Sequence, residues 1–188
     1  MPADRSDQIL RAAAAAFARR GFHATTVQDI ATEAGISAGL LYRYFAGKDD
    51  VVVALVETYV ADLHTAIEQA ETLAAAVDAV FSYTADLPGG AQTDGRLFLD
   101  VLAEALRNPR VDAVVRTADA RVSVALADKI QAAQRAGEAD ASLDPDAAAD
   151  LVLALADGLA LRAARADASL PDLEASLTDL LARFLAPR

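Results

Sequence analysis

Residues 25–45 leave this chain few folds to choose from. Val27, Ile30, Ala31 and Ala34 recur at three- and four-residue spacing, which makes one apolar face of a helix. Gly35 follows at the position where a left-handed residue ends such a helix, and glycine adopts that conformation at least cost. Ser37 then caps a second helix near 38–45, with Leu41 and Phe45 four apart on its inner side. A threonine opens the first helix: Thr25 with Gln28, or Thr26 with Asp29, forms a capping box or its shorter-armed variant. Ala31 is small enough for close crossing, and Ile36 plugs the corner. Helix, glycine turn and helix at this spacing predict a helix-turn-helix.

The rest of the chain is also helical in character. Alanine and leucine dominate, long stretches lack proline and glycine, and strand-like alternation is absent. Breaks fall at Gly21, Gly35, Gly47, Pro88-Gly89-Gly90, Asn108-Pro109, Gly137, Asp144-Pro145 and Leu170-Pro171. They divide the chain into about nine helices, near 4–20, 27–34, 38–45, 48–70, 72–86, 94–107, 111–136, 145–166 and 171–186. The expected fold is all-α. Residues 1–50 form a three-helix head containing the motif at 26–45, and residues 51–188 form a helical regulatory and dimerisation body.

Composition excludes several function classes. The chain has no cysteine and only two histidines, His23 and His64, so thiolate chemistry and histidine-rich metal sites are out. There is no Ser-His-acid set that would serve catalysis, and the reading is not an enzyme, with no cofactor and no metal. No apolar run reaches the ~18 residues of a membrane span. The N-terminus lacks the basic-then-apolar form of a signal peptide. A cytoplasmic protein with no membrane partner is expected.

Net charge is −11, the wrong sign for meeting phosphate, but the excess is unevenly spread. Residues 1–50 hold six basic and six acidic groups, and residues 51–188 hold eleven basic and twenty-two acidic ones. A neutral head on an acidic body approaches a polyanion head first. The same acidity keeps an Ala/Leu-rich chain in solution.

A helix-turn-helix presents the start of its second helix to the major groove of DNA. Turning about 100° per residue from the Leu41/Phe45 face puts Gly39, Leu40 and Arg43 outward, with Tyr42 and Tyr44 flanking them. Arginine reaches guanine edges or phosphate, and tyrosine hydroxyls position phosphate. Gly39 removes a side chain from the line of approach. Lys48 opens the next helix, where a lysine and free backbone amides both face phosphate. Four alternatives stand beside these roles: the tyrosines as packing aromatics, Arg43 as the partner of an acid in the head, Gln28 as a capping residue, and Lys48 as a solvated cap.

Residues 9–53 resemble the DNA-binding head of the TetR family of transcriptional regulators. The resemblance rests on Ile9-Leu10-x-Ala12-Ala13 with Phe17, then Gly21-Phe22, Thr25-Thr26-Val27-x-Asp29-Ile30-Ala31, Ala34-Gly35-Ile36-Ser37, Gly39-x-Leu41-Tyr42-x-Tyr44-Phe45 and Lys48-Asp49. It implies DNA contacts from Thr26, Gln28, Ser37, Ala38, Gly39, Leu40, Tyr42, Arg43, Tyr44 and Lys48. It also implies a homodimer, a divergent ligand-binding body and release of operator DNA when a small molecule binds. Leu40 departs from the family's usual Thr or Ser; a leucine meets a thymine methyl instead of donating a hydrogen bond. Partners are therefore operator DNA, a second copy of the chain and a small-molecule ligand. An activator or dual regulator with the same head, or a ligand-binding or scaffold protein whose head has lost DNA, are the competing readings.

The body offers two further expectations. Leu151, Leu155, Gly158, Leu159 and Arg162 line one helix, and Leu173, Leu177, Leu180, Leu181 and Phe184 line the last one. Two such helices from each of two chains can close a four-helix interface, placing residues 145–186 at the dimer contact; alternatively, the stripes finish the monomer core. Such a dimer sets its recognition helices about 34–36 Å apart, one turn of DNA. Residues 97–106 form an apolar helix on which Asp100 and Glu104 share a face. Phe98, Asp100, Leu102 and Glu104 are the candidate ligand-binding residues, the two acids suiting a cationic ligand or, alternatively, pairing with Arg96, Arg107 or another helix arginine.

Overall fold

The computed structural model describes residues 2–85, 96–164 and 170–187. These fold into nine helices with no strand among the described residues: α1 (Pro2–Arg20), α2 (Val27–Glu33), α3 (Ala38–Leu41), α4 (Lys48–Gln69), α5 (Leu73–Ala85), α6 (Arg96–Ala105), α7 (Pro109–Ala136), α8 (Pro145–Ala164) and α9 (Leu170–Leu185). The Pro88-Gly89-Gly90 break lies outside the described residues, as do the outer ends expected for α5, α6 and α8.

Chain punctuation has local physical causes. Gly35 (φ 65°) closes α2 through two reverse bonds: its N–H donates to Thr32 O, and the Ile36 N–H donates to Ala31 O. That pair is the Schellman pattern, which satisfies the last carbonyls of a helix. Gly137 (φ 75°) ends α7 in the same way, with bonds to Gln134 O and Ala133 O. Asn108 caps α7 by accepting from the Arg110 N–H, and Pro109 supplies the fixed φ of the first turn.

One expected helix is shorter than its pattern. Regular α geometry in the second motif helix stops at Leu41, after which Arg43 and Tyr44 donate to carbonyls only three residues back. The chain thus continues as tighter turns through Tyr44. Phe45 still reaches the core, because its N–H bonds to Leu41 O and its ring is buried.

Two apolar clusters organise the molecule. The head cluster joins Ile9, Ala13, Phe17, Ile30, Leu41, Phe45, Val51 and Val52, but also Leu97, Ala105, Val111 and Val115 from α6 and α7. The body cluster joins Val60, Leu63 and Ile67 of α4 with α5, α7, α8 and the end of α9. Helix α4 therefore runs through both, and the head packs onto the body instead of hanging from a linker. Its start, near residue 50, is a change of core and not a gap.

Candidate functional site

The motif's first helix begins with a reciprocal cap. Thr26 Oγ1 accepts from the Asp29 N–H (3.1 Å), while Asp29 Oδ2 accepts from the Thr26 N–H (2.9 Å) and hydroxyl (2.7 Å). Of the two threonine pairings expected, the Thr26–Asp29 box forms. Thr25 is buried and donates to Gly21 O at 2.8 Å, tying the turn to the end of α1. The hydrogen bonds from Thr26, with Arg20 behind them, hold the Asp29 carboxyl down at about 2. Arg20 pairs with Asp29 and Arg19 with Glu33, so these two cations brace α1 against α2.

The second motif helix leaves its polar groups unused. Tyr42 is 56% exposed and Tyr44 41%, so neither is a packing aromatic. Gln28 and Arg43 are exposed as well, and none of these four side chains makes a hydrogen bond or ion pair among the described residues. Gly39 is open on its outer side, and a Cβ there would meet only Ser37 Oγ at 4.0 Å. Ser37 accepts from the Leu40 N–H at 3.1 Å as the helix cap, and Ala38 and Leu40 are half-buried beside it. The arrangement is a convex face with arginine, amide and phenol donors pointing at solvent, fit for phosphate and base edges.

Lys48 opens α4, with its ammonium partly engaged within the head. Its Nζ donates to Phe22 O at 2.7 Å and to His23 O at 3.4 Å, and sits 4.2 Å from the centre of the Phe22 ring. At the start of α4, Asp49 and Asp50 occupy the first turn. Asp50 Oδ2 accepts from the Ala46 N–H (2.8 Å). No side chain caps the first amides of α4 itself. Sequence reading missed the Lys48–Phe22 contact because it joins residues 26 apart.

These groups belong to a polar joint between head and body. Asp100 Oδ2 accepts from the Phe22 N–H at 3.1 Å, just past Gly21. Glu104 is buried, with Oε2 3.5 Å from His23 Nε2 and 3.8 Å from an Arg107 nitrogen. Arg107 also touches His23 Nε2 at 2.8 Å. Asn108 donates to Asp49 at 2.9 Å, and Arg110 pairs with Asp50. The two α6 acids therefore face the head. Their shared helix face is turned about 110° from the apolar one, and Asp100 borders a separate cleft with Phe17, Arg20, Gly21 and Leu99. The paired-arginine alternative holds for Glu104 and Arg107. Arg96's side chain lies outside the described set.

The other two α6 candidates, Phe98 and Leu102, do line a cavity. With Leu55, Val56, Tyr59, Val101 and Val115 they enclose about 590 Å³ of empty space, open solvent included. A second cleft of about 800 Å³ shares Tyr59, Val60, Phe98 and Asp119 with it and reaches Asp150 and Asp157 on α8. Asp119 and Asp157 were missed in the sequence. Their signal is an acid set within apolar stripes, Asp119 between Val115 and Val122 and Asp157 four residues after Leu153. Burial raises the carboxyl of Asp119. Burial, with repulsion from Asp119, pushes Asp157 up to about 6. Water reaches both through the cleft mouth, yet the surrounding protein atoms withhold much of its solvation.

The stripes on α8 and α9 divide. Leu151, Leu155, Gly158 and Arg162 lie on one outward face of α8, with Leu151 42% exposed. Leu159 is buried in the chain's own core. On α9, Leu180 is 57% exposed and Leu173, Leu177 and Phe184 are half-covered, but Leu181 is buried. Leu159 and Leu181 thus finish the monomer core, since each sits about 100° around its helix from the neighbouring outward residue. Among the described residues no cluster of acidic or histidine side chains could hold a metal ion, and no helix is long and apolar enough to cross a membrane.

Comparison with known proteins agrees with this architecture. Residues 9–55 match the model of bacterial regulatory proteins of the TetR family, and residues 69–186 match the C-terminal model of BetI-type transcriptional repressors. The regulator UidR of Escherichia coli K12 is 27% identical over 156 residues, covering 81% of this chain and 78% of that protein. The repressor KstR2 of Mycolicibacterium smegmatis is 53% identical over 51 residues, covering 27% of this chain and 25% of that protein. A transcriptional regulator from Saccharomonospora viridis, solved with choline, superposes with a TM-score of 0.80 at 22% identity, covering 99% of this chain and all of that one; this likeness shows the fold alone. With both halves of the chain matched and an outward-facing helix-turn-helix in place, the protein belongs to the TetR family of DNA-binding transcriptional regulators.

Proposed function

We propose that the protein is a homodimeric repressor that leaves its operator when a small molecule enters the body. The observation that carries the DNA half of this reading is the unused donor face of Gln28, Tyr42, Arg43 and Tyr44 beside the open Gly39. Thr26 and Ser37 contribute through their caps, which fix both helix starts. Ala38 and Leu40 offer apolar contact at the groove. Lys48 has two of its three ammonium donors engaged, leaving one for a phosphate.

Dimerisation is supported by Leu151 and Leu161 of α8 and Leu180 of α9, which stay exposed on the single chain. Ligand release is supported by α6. Its apolar face walls the cavity, and its acidic face holds the head at Phe22. An occupant that shifts α6 therefore shifts the head, and coupling needs only that it prefer one position. The relatives named as repressors favour repression over activation.

Selection of bound sequences from a random duplex pool tests the reading, with Tyr42→Ala/Arg43→Ala as control. An enriched palindrome with half-sites one helical turn apart, lost in the double variant, is the expected result. No enrichment at low salt by a folded dimer would leave the head without a DNA role. Steep weakening with salt should accompany binding, since phosphate contacts release counterions.

A further inference from the structure

The inference here rests on reading the motif as an operator-binding element. We propose that Gln8 of α1 is a positioning residue for operator binding: its side-chain amide holds a carbonyl at the corner of the helix-turn-helix and so sets where the second motif helix begins.

That corner carries a carbonyl which the backbone does not serve. At the end of α2 the Gly35 and Ile36 N–H groups turn back to Thr32 O and Ala31 O. Ala34, still helical at φ −75° and ψ −5°, is the last residue before the left-handed Gly35. Its oxygen points past the helix end, and no following turn supplies a donor. No backbone N–H among the described residues reaches it, and Ala34 is buried, so water has little access. Gln8 Nε2 donates to this oxygen at 2.7 Å, from 26 residues upstream.

The amide is itself held in one orientation. Arginine carries donors and no acceptor, so the 2.9 Å bond from Arg5 Nη1 puts the Gln8 oxygen on the Arg5 side and leaves its NH2 for Ala34. Arg5 and Gln8 lie three apart on α1 and share a face. The cation also polarises the amide, which strengthens its N–H as a donor.

Placement gives this bond its role. Ile9, Ala13 and Phe17 pack with Ile30 and Leu41, but apolar contact is non-directional and permits small sliding. The Arg19–Glu33 and Arg20–Asp29 pairs brace α1 against α2 from outside, where water and salt weaken them. The Gln8–Ala34 bond is directional and partly buried, and it lies three residues before Ser37, the cap of the second motif helix. Movement of the Ala34 carbonyl therefore passes at once to Ser37, Ala38 and Gly39. Phosphate contacts hold at any register along a duplex, whereas base-edge contacts do not. Gln8 should thus matter for the operator and little for other DNA.

The test uses the full-length protein with two duplexes: the palindrome that the wild type enriches from a random pool, and the same duplex with its half-sites scrambled. Gln8→Met keeps the length of the side chain and loses the donor. Gln8→Glu keeps the Arg5 partner and sets an acceptor against the carbonyl. Both should lose about tenfold in affinity for the palindrome, the size of one mismatched base pair. Affinity for the scrambled duplex should change by less than about twofold, since phosphate contacts carry it. Gln8→Lys restores an N–H donor and should recover most of the ratio between the two affinities. Partial unfolding would lower both affinities in proportion and leave that ratio unchanged, so the ratio separates positioning from stability. The proposal is overturned if Gln8→Met keeps the wild-type ratio, or if Gln8→Lys loses as much of it as Gln8→Met does. A wild type that enriches no palindrome strikes the operator reading, and this inference with it. A wild-type palindrome that the variants bind equally well strikes this inference alone.

Discussion

Asp100→Ala should loosen the head from the body with a measurable effect at each end. The Phe22 N–H bond to Asp100 is charge-assisted, 3.1 Å long and partly buried, and Phe22 itself is nearly inaccessible. Hydrogen bonds to charged groups contribute about 1.5–3 kcal/mol, and the stranded N–H adds to the loss, so about 2 kcal/mol is expected. In a chain of this size each kcal/mol moves the melting temperature by about 2–4 °C, giving a fall of about 4–8 °C. Asp100→Asn retains an acceptor oxygen and should lose less than half as much. Once an operator and an inducing ligand are known, the ligand-dependent change in operator affinity should shrink in Asp100→Ala, while the affinity of the body for ligand moves little. Calorimetric melting and an anisotropy titration with and without ligand read the two effects. An Asp100→Ala protein with wild-type melting and full ligand response would refute the view that α6 holds the head through this bond.

Three further outcomes follow from the geometry. Gly35→Ala has free space for its Cβ, so only the left-handed backbone opposes it; a loss of about 1–2 kcal/mol by denaturant titration is expected, with weaker operator binding. Asp157→Asn should be stabilising in a pH-dependent way. The folded carboxyl lies near 6, above its unfolded value, facing Asp119 from α7, Asp150 on α8 and the Tyr59 phenol from α4. Its contribution is thus complete below the unfolded value and lost as pH rises through about 6. The variant should match wild type at about pH 3 and exceed it at pH 8, by about 1 kcal/mol after allowance for solvent screening; equal melting at pH 8 would count against the burial. Leu180→Glu, on the exposed face of α9, should yield a folded monomer by ultracentrifugation, whereas Leu181→Glu, in the core, should unfold the chain.

How far the sequence carried depended on whether the information was local. The helix-turn-helix was legible because each of its devices acts within a few residues: the Thr26 box, the Gly35 turn, the Ser37 cap and the Leu41/Phe45 spacing. Helix ends at Gly21, Gly137 and Asn108-Pro109 were legible for the same reason. The early end of α3 was not, since turns three residues wide carry the same apolar spacing as a helix. Lys48 was read by its position in a motif, yet its partners Phe22 and His23 are set by the packing of α4 on α1. Asp100 and Glu104 were correctly placed on one face, but a single sequence does not say which neighbour that face meets. The stripe on α8 blended an outward face with core position Leu159, because both are leucine. Only the third dimension separates Leu151 from Leu159.

The joint between head and body has the composition a switch needs. Its apolar part, Leu97, Ala105, Val111 and Val115 against the head cluster, is non-directional and tolerates small sliding of α6. Register is set instead by a few polar contacts: Asp100 to Phe22, Asn108 to Asp49 and Arg110 to Asp50. The Arg110–Asp50 pair is largely open to water on the arginine side and contributes about 0–1 kcal/mol. Together these contacts amount to a few kcal/mol, the size of ordinary allosteric coupling, which spans about 1–3 kcal/mol. For the proposed ligand-released dimer, a joint held by more would ignore a ligand of micromolar affinity, and one held by less would not fix the spacing of its two recognition helices. Because Phe98 and Asp100 lie two residues apart on one short helix, a change at the cavity wall reaches the Phe22 N–H without any long relay.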